Sequence, residues 1–102
     1  MTEADCLLCR AERITTWHFE DYECWVTDCL VCMTPMIVWR PHGIPLVEDE
    51  ARLLSRLEAI AAERYPGGYW IDGERRRIPE HWHAHARPKN GFFDPASELY
   101  DR

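Results

Sequence analysis

The chain reads as one small domain of strands gathered around a single long helix. Two patterns carry that reading. From about Val47 to Tyr65, Leu53, Leu54, Leu57, Ile60 and Ala61 recur at three- and four-residue intervals, the period of a helix with one apolar face. On either side lie short runs with strand character: His18 to Val26, Pro35 to Arg40, Gly68 to Asp72 and Glu80 to Pro88. Proline and glycine divide them, with Pro41-His42-Gly43-Ile44-Pro45 before the helix and Pro66-Gly67-Gly68 after it. Residues 1–102 are expected to form one domain, with 89–102 as a C-terminal tail.

At 102 residues the chain is near the lower end of what builds a core unaided. Its composition, 46% hydrophobic with five tryptophans, is that of a globular protein. A net charge of −6 disfavours general binding to nucleic-acid backbones, which calls for a basic surface. No run reaches the length of a membrane span, and the first residues lack a signal peptide's apolar core. Five cysteines, an odd number without secretory context, fit a reduced cytoplasmic setting. There, close cysteine pairs read as metal ligands before disulfides.

Taken in order, Cys6-Leu7-Leu8-Cys9 opens with a C-x-x-C, whose spacing lets two thiolates reach one tetrahedral ion from a single turn. Trp17, Phe19, Tyr22 and Trp25 are expected to pack in the core and a hairpin turning at Glu20-Asp21; Cys24 reads as a small core residue and His18 as structural. A second C-x-x-C, Cys29 to Cys32, lies nineteen residues beyond the first, within zinc-ribbon range. Cys6, Cys9, Cys29 and Cys32 are therefore a rival four-cysteine site, although the second pair lacks the glycine and basic turn residues of a zinc knuckle. The apolar run Pro35 to Arg40 is a buried strand if central, and the turn after it projects His42 at its end. Glu48, Asp49 and Glu50 suit the positive N-terminal end of the helix.

The richest stretch is Glu80-His81-Trp82-His83-Ala84-His85-Ala86-Arg87-Pro88. On a strand, alternation puts His81, His83 and His85 on one face, about 7 Å apart. Trp82, Ala84 and Ala86 face the other way, where two small residues permit close packing. Such an imidazole row suits metal binding, phosphate contact or nucleophilic attack. Arg75-Arg76-Arg77 lie just before it, placed to contact phosphate.

A C-x-x-C start, a strand ending in a proline-flanked histidine, a helix, and then His-x-His-x-His resemble the histidine-triad (HIT) superfamily, over Cys6 to Pro88. The resemblance implies an α+β fold with an antiparallel sheet of about five strands, one main helix and often homodimer formation. It implies a structural Zn²⁺ held by Cys6, Cys9, His42 and His81, stapling the N-terminus to the sheet. It also implies a nucleotide or nucleotide-derived substrate. His83 would attack the α-phosphorus to give a nucleotidyl-histidine that water or another acceptor resolves, with His85 on phosphate oxygens or the leaving group.

One departure bears on activity. Arg77-Ile78-Pro79-Glu80 stands where the family usually carries a Gly-Gln-Ser/Thr segment that contacts phosphate. Arg87 and one of Arg75 to Arg77 are the expected replacements. Three alternatives stand beside the hydrolase or transferase: a non-catalytic nucleotide- or protein-binding module of the same fold, a four-cysteine zinc-ribbon interaction module, and a metal held on the triad itself. The last is disfavoured, because the only acid that follows His83 or His85 within about ten residues is Asp94, in an expected loop.

Overall fold

The structure, a computed structural model, describes residues 6–75 and 77–90. The expectations placed on Arg76, on Phe92 and Phe93 and on the rest of the tail from 91 onward lie outside the described residues.

The elements run β1 (Trp17–Glu20), β2 (Cys24–Asp28), β3 (Pro35–Trp39), α1 (Val47–Arg64), β4 (Tyr69–Asp72) and β5 (His83–Pro88). They form one antiparallel sheet in the order β1-β2-β3-β5-β4, so the last strand is internal, paired to β3 and to β4. His83 and His85 thus lie on an internal strand, paired to β3 over His83 to His85 and to β4 over His85 to Pro88, which holds their side chains on a rigid platform.

Register sorts the side chains. Val38 pairs with His83, Met36 with His85, and Asp72 with His85; Trp25 and Thr27 sit opposite Val38 and Met36. Directly opposed residues share a face, so Trp25, Thr27, Met36, Val38, Asp72, His83, His85 and Arg87 project to one side. Cys24, Val26, Ile37, Trp82, Ala84 and Ala86 project to the other and join Leu53, Leu57 and Ala61 in the buried core. Helix α1 packs on that second face, against β2, β3 and β5. The expected helix stripe is confirmed, and the two alanines of β5 are the small residues that let it approach. Trp82 closes one end of the core, its indole Nε1 donating to Glu50 Oε1 at 3.1 Å.

The helix begins with Glu48, Asp49 and Glu50 in its first turn and ends at Arg64, where the Tyr65 N–H returns to the Ala61 carbonyl. The β1–β2 turn is closed by Asp21, whose Oδ1 accepts the N–H groups of Glu23 at 2.8 Å and Cys24 at 2.9 Å. That turn lifts Tyr22 into solvent, 87% exposed, which corrects its expected place in the core. Trp17 and Trp25 stack at 4.9 Å, and Phe19 and Cys24 pack as expected. His18 is structural, its Nε2 lying 3.0 Å from Asp28 Oδ1. No helix among the described residues is long and apolar enough to cross a membrane.

One boundary differs from expectation. The strand starts at His83 rather than at His81, so the three histidines do not form one row. The His81 ring turns aside because its Nε2 faces the Trp39 carbonyl and its Nδ1 meets two cysteine sulfurs.

Candidate metal centre and catalytic cleft

Cys6, Cys9, His42 and His81 converge, with one potential ligand atom from each lying within 4.8 Å of every other. Their placement follows from the chain. Cys6 and Cys9 lie on one N-terminal turn. His42 ends the β3 segment at a bend where Gly43 adopts φ +129°, a conformation open to glycine, while the Gly43 carbonyl accepts the Trp82 N–H at 2.9 Å. That bond ties the His42 turn to the residue after His81.

His81 Nδ1 is 3.3 Å from Cys6 Sγ and 3.4 Å from Cys9 Sγ, and His42 Nδ1 is 3.4 Å from Cys9 Sγ. Two ligands on a tetrahedral zinc ion, at roughly 2.3 Å for sulfur and 2.0–2.1 Å for nitrogen, stand about 3.5 Å apart. The cluster is therefore contracted to the size of a zinc site. His81 Nε2–H donates to the Trp39 carbonyl, which leaves Nδ1 as the lone-pair nitrogen facing the sulfurs. Burial, together with the nearby His42, pushes the His81 pKa below its ordinary value and favours the neutral ring a metal needs. The donor set, two soft thiols and two imidazoles, fits a structural zinc ion.

His83 takes a different role. Its Nδ1–H donates to the His81 carbonyl at 2.8 Å, so Nε2 carries the free lone pair. Burial lowers its pKa and the neighbouring His85 and Arg75 add to this, while the bond to the His81 carbonyl opposes it. His85 stands beside it, ring centroids 5.8 Å apart and nearly perpendicular. Both line a cavity of about 420 Å³ on the sheet face away from α1. Its other walls are Leu7, Ile14 and Thr15 of the N-terminal segment and Leu30 and Val31 of the β2–β3 loop.

The second C-x-x-C opens into the same cavity. Cys29 and Cys32 gather with His85, their ligand atoms again within 4.8 Å of one another. The four cysteines therefore do not form a ribbon site: each pair meets a different outer histidine of the triad, and His83 between them is left for other chemistry. The Cys29 thiol donates toward the Cys32 sulfur, which holds the Cys32 pKa well down and raises that of Cys29. The sequence signal for this arrangement is the matched count of two cysteine pairs and two outer histidines. It is hidden because only the register of β5 shows which pair meets which ring.

The three arginines separate. Arg87 lines the cavity but is held by Asp72 and by Cys32, at 2.8 Å and 3.3 Å. Arg77 lines the cavity from the loop before β5. Arg75 turns its Nε toward the Pro79 carbonyl, at 3.1 Å. Asp72, which the sequence alone does not single out, proves to be the anchor of Arg87.

A five-stranded antiparallel sheet with one main helix on one face and a histidine strand inside it is a HIT-like α+β arrangement. Among solved structures it is similar to the crystal structure of a HIT family hydrolase from Legionella pneumophila Philadelphia 1, with a TM-score of 0.59 and 19% sequence identity. The similarity covers 89% of this chain and 98% of that one. No protein-family model and no curated protein matches the chain.

Proposed function

We propose that the chain is a nucleotide hydrolase or nucleotidyl transferase of the HIT type, working at the α-phosphate through His83. The observation that carries the reading is the tautomer of His83. With Nδ1–H committed to the His81 carbonyl, Nε2 is the nucleophilic nitrogen in a cavity-lining, sheet-anchored ring. Its lone pair attacks the α-phosphorus, the bond to the leaving group breaks, and the leaving group departs with a proton from solvent, which the incoming water or acceptor gives back in the second step. Water or another acceptor then attacks the phosphorus of the nucleotidyl-histidine and returns His83 to its neutral form. His85, beside it on the same face, serves the phosphate oxygens or the leaving group. Arg77 and Arg75 supply positive charge, and Arg87 adds its own from its seat on Asp72. The apolar wall of Leu7, Ile14, Leu30 and Val31 suits a nucleobase.

Cys6, Cys9, His42 and His81 would hold a structural zinc ion, which when bound closes a tetrahedron between the N-terminal turn and the sheet. Because the His81 carbonyl orients His83, the same staple would aim the nucleophile. The reading extends to a homodimer, checked by analytical ultracentrifugation, and to a reducing cytoplasmic setting, which suits the free thiols.

The test is intact-protein mass after brief exposure to adenosine and guanosine phosphoramidates and dinucleoside polyphosphates, with free nucleotide assayed in parallel. The expected result is a transient nucleotidyl adduct or nucleotide release that His83→Ala abolishes. A second reading, a non-catalytic binding module of the same fold, is favoured by the engagement of Arg87 with Asp72 and by Ile78 and Pro79 before the triad. Nucleotide binding without adduct or turnover would decide for it.

A further inference from the structure

The proposed reaction leaves the second cysteine pair unused. Cys29 and Cys32 lie on a tight loop: the Cys29 N–H donates to the Thr34 carbonyl and the Met33 N–H to the Cys29 carbonyl, both at 2.8 Å. Met33, directly after Cys32, adopts φ +58°, so the chain curls back over the pair without the glycine that usually makes such a bend. Both sulfurs are thereby turned toward His85 on β5, whose register places it opposite Met36 and Asp72.

His85 itself asks for a partner. It is only 8% exposed, yet its Nδ1 finds no hydrogen-bond partner among the described residues. A buried ring nitrogen left without one costs free energy that a ligand or ion would recover. The Cys32 sulfur, in contrast, is well supported. Arg87 NH1 donates to it at 3.3 Å and Thr34 Oγ1 lies 3.1 Å away. Hydrogen bonds of that kind steady a thiolate ligand. The Arg87 charge does not forbid a cation beside it, because Asp72 Oδ2 binds that guanidinium at 2.8 Å.

We infer that Cys29, Cys32 and His85 form a second metal site for a zinc-class divalent ion, with its fourth position open to the cavity that His83 lines. Two thiolates match the charge of the ion, and the imidazole completes a Cys₂His set. Three protein ligands with one free position are the pattern of a reactive zinc site, whereas four close a structural one. The cavity supplies the room for a fourth ligand, and an anionic oxygen such as that of a phosphate is the class it would take. The site places a Lewis-acidic ion, its charge balanced by the two thiolates, in the cleft where Ile78 and Pro79 stand before the triad. It shares His85 with the hydrolase reading, where the bound ion rather than the ring would meet the phosphate oxygens, but the metal binds whether or not His83 forms an adduct.

The experiment uses the full chain, reduced, stripped of metal and titrated with Zn²⁺ or Co²⁺. Native mass spectrometry counts ions and absorption reads Co²⁺–thiolate coordination. Wild type is expected to take two ions, and Cys29→Ser/Cys32→Ser to take one while keeping its fold by circular dichroism. Inorganic phosphate is expected to shift the Co²⁺ d–d bands of wild type and not those of the double variant. Should the double variant misfold, titration of wild type remains decisive through a second, phosphate-sensitive equivalent. A single ion in wild type, or equal counts in both proteins, would overturn the site; two ions with no response to phosphate would overturn its open position. Loss of the His83 adduct with both ions retained would sink the hydrolase reading alone.

Discussion

Arg87 and Asp72 form an ion pair between adjacent strands, Nε to Oδ2 at 2.8 Å, with each side chain only 5% exposed. Trp70 pairs with Arg87 across the same two strands, and Asp72 with His85. The pair therefore sits on the cavity face at the end of the histidine row. Taking two charges out of water is costly, and the cost is offset only while both partners remain.

Asp72→Ala is accordingly expected to destabilise the fold by about 3 kcal/mol, the scale for removing one member of a buried pair. Urea denaturation of wild type and variant measures it. A loss under about 1 kcal/mol would mean the pair is solvated like a surface bridge. Asp72→Asn keeps the shape and removes the charge, so a loss close to that of Asp72→Ala would assign the effect to electrostatics.

Zinc at the Cys6, Cys9, His42 and His81 cluster is expected to contribute several kcal/mol to stability, because its ligands come together only in the folded chain. Cys9→Ser should then lower the melting temperature of the zinc-loaded protein, and a strong chelator should lower that of wild type. In a Cys29→Ser/Cys32→Ser background, where only this cluster among the described residues can hold metal, the two effects should not add, since each removes the same ion. Additive losses would show that Cys9 matters for packing rather than for metal.

Much of this was legible in the sequence, and the reasons divide cleanly. The helix could be placed because Leu53, Leu57 and Ala61 repeat on one face, and the sheet because Pro35 to Trp39 is an apolar run and the histidine segment alternates, although its strand begins only at His83. The partition of Trp82, Ala84 and Ala86 to the face opposite the histidines followed from alternation alone, while the helix that covers that face is seen only in the structure. What could not be read was long-range. His81 leaves the row because the Trp39 carbonyl, forty-two residues away, draws its Nε2. The partner of Arg87 depends on strand register, which no local pattern states. Tyr22 was misplaced because aromatic content marks a hairpin, while the Asp21 turn decides which ring stays outside it.

Asp21 carries a prediction with a pH sign. Its burial works against ionisation, but the N–H groups of Cys24 and Glu23 and the Arg56 guanidinium outweigh it and hold the pKa below the ordinary 3.8. A depressed carboxylate stabilises the fold above its unfolded pKa, and that contribution is lost as pH falls from 3.8 through the folded value. Asp21→Asn, which keeps an oxygen for the turn, should cost about 0.5–1 kcal/mol at neutral pH. The gap from wild type should close as acid unfolding is approached. Asp21→Ala should cost about 1–2 kcal/mol, since the N–H groups of Glu23 and Cys24 also lose their acceptor. A gap between wild type and Asp21→Asn that stays constant as pH falls from 3.8 toward acid unfolding would place the effect in the turn geometry rather than in the charge.

Helix α1 packs on β5 across small side chains, and Ala86 is the measure of that contact. It is fully buried against the face that carries Leu53, Leu57 and Ala61. Ala86→Leu adds three carbons where pairing to Ile71 of β4 fixes the backbone and β3 holds the same strand just before it, so the strain cannot be relieved by moving β5 alone. A destabilisation of about 1–3 kcal/mol is expected for such overpacking. Leu57→Ala, which opens a cavity on the same contact, should cost about 2–5 kcal/mol. Because the two changes have opposite volume effects at one interface, combining them should recover part of the loss. Their sum measured by denaturation would be smaller than the two separate costs. Strict additivity would mean that helix and strand do not share that space, and that β5 owes its position to its strand pairing alone.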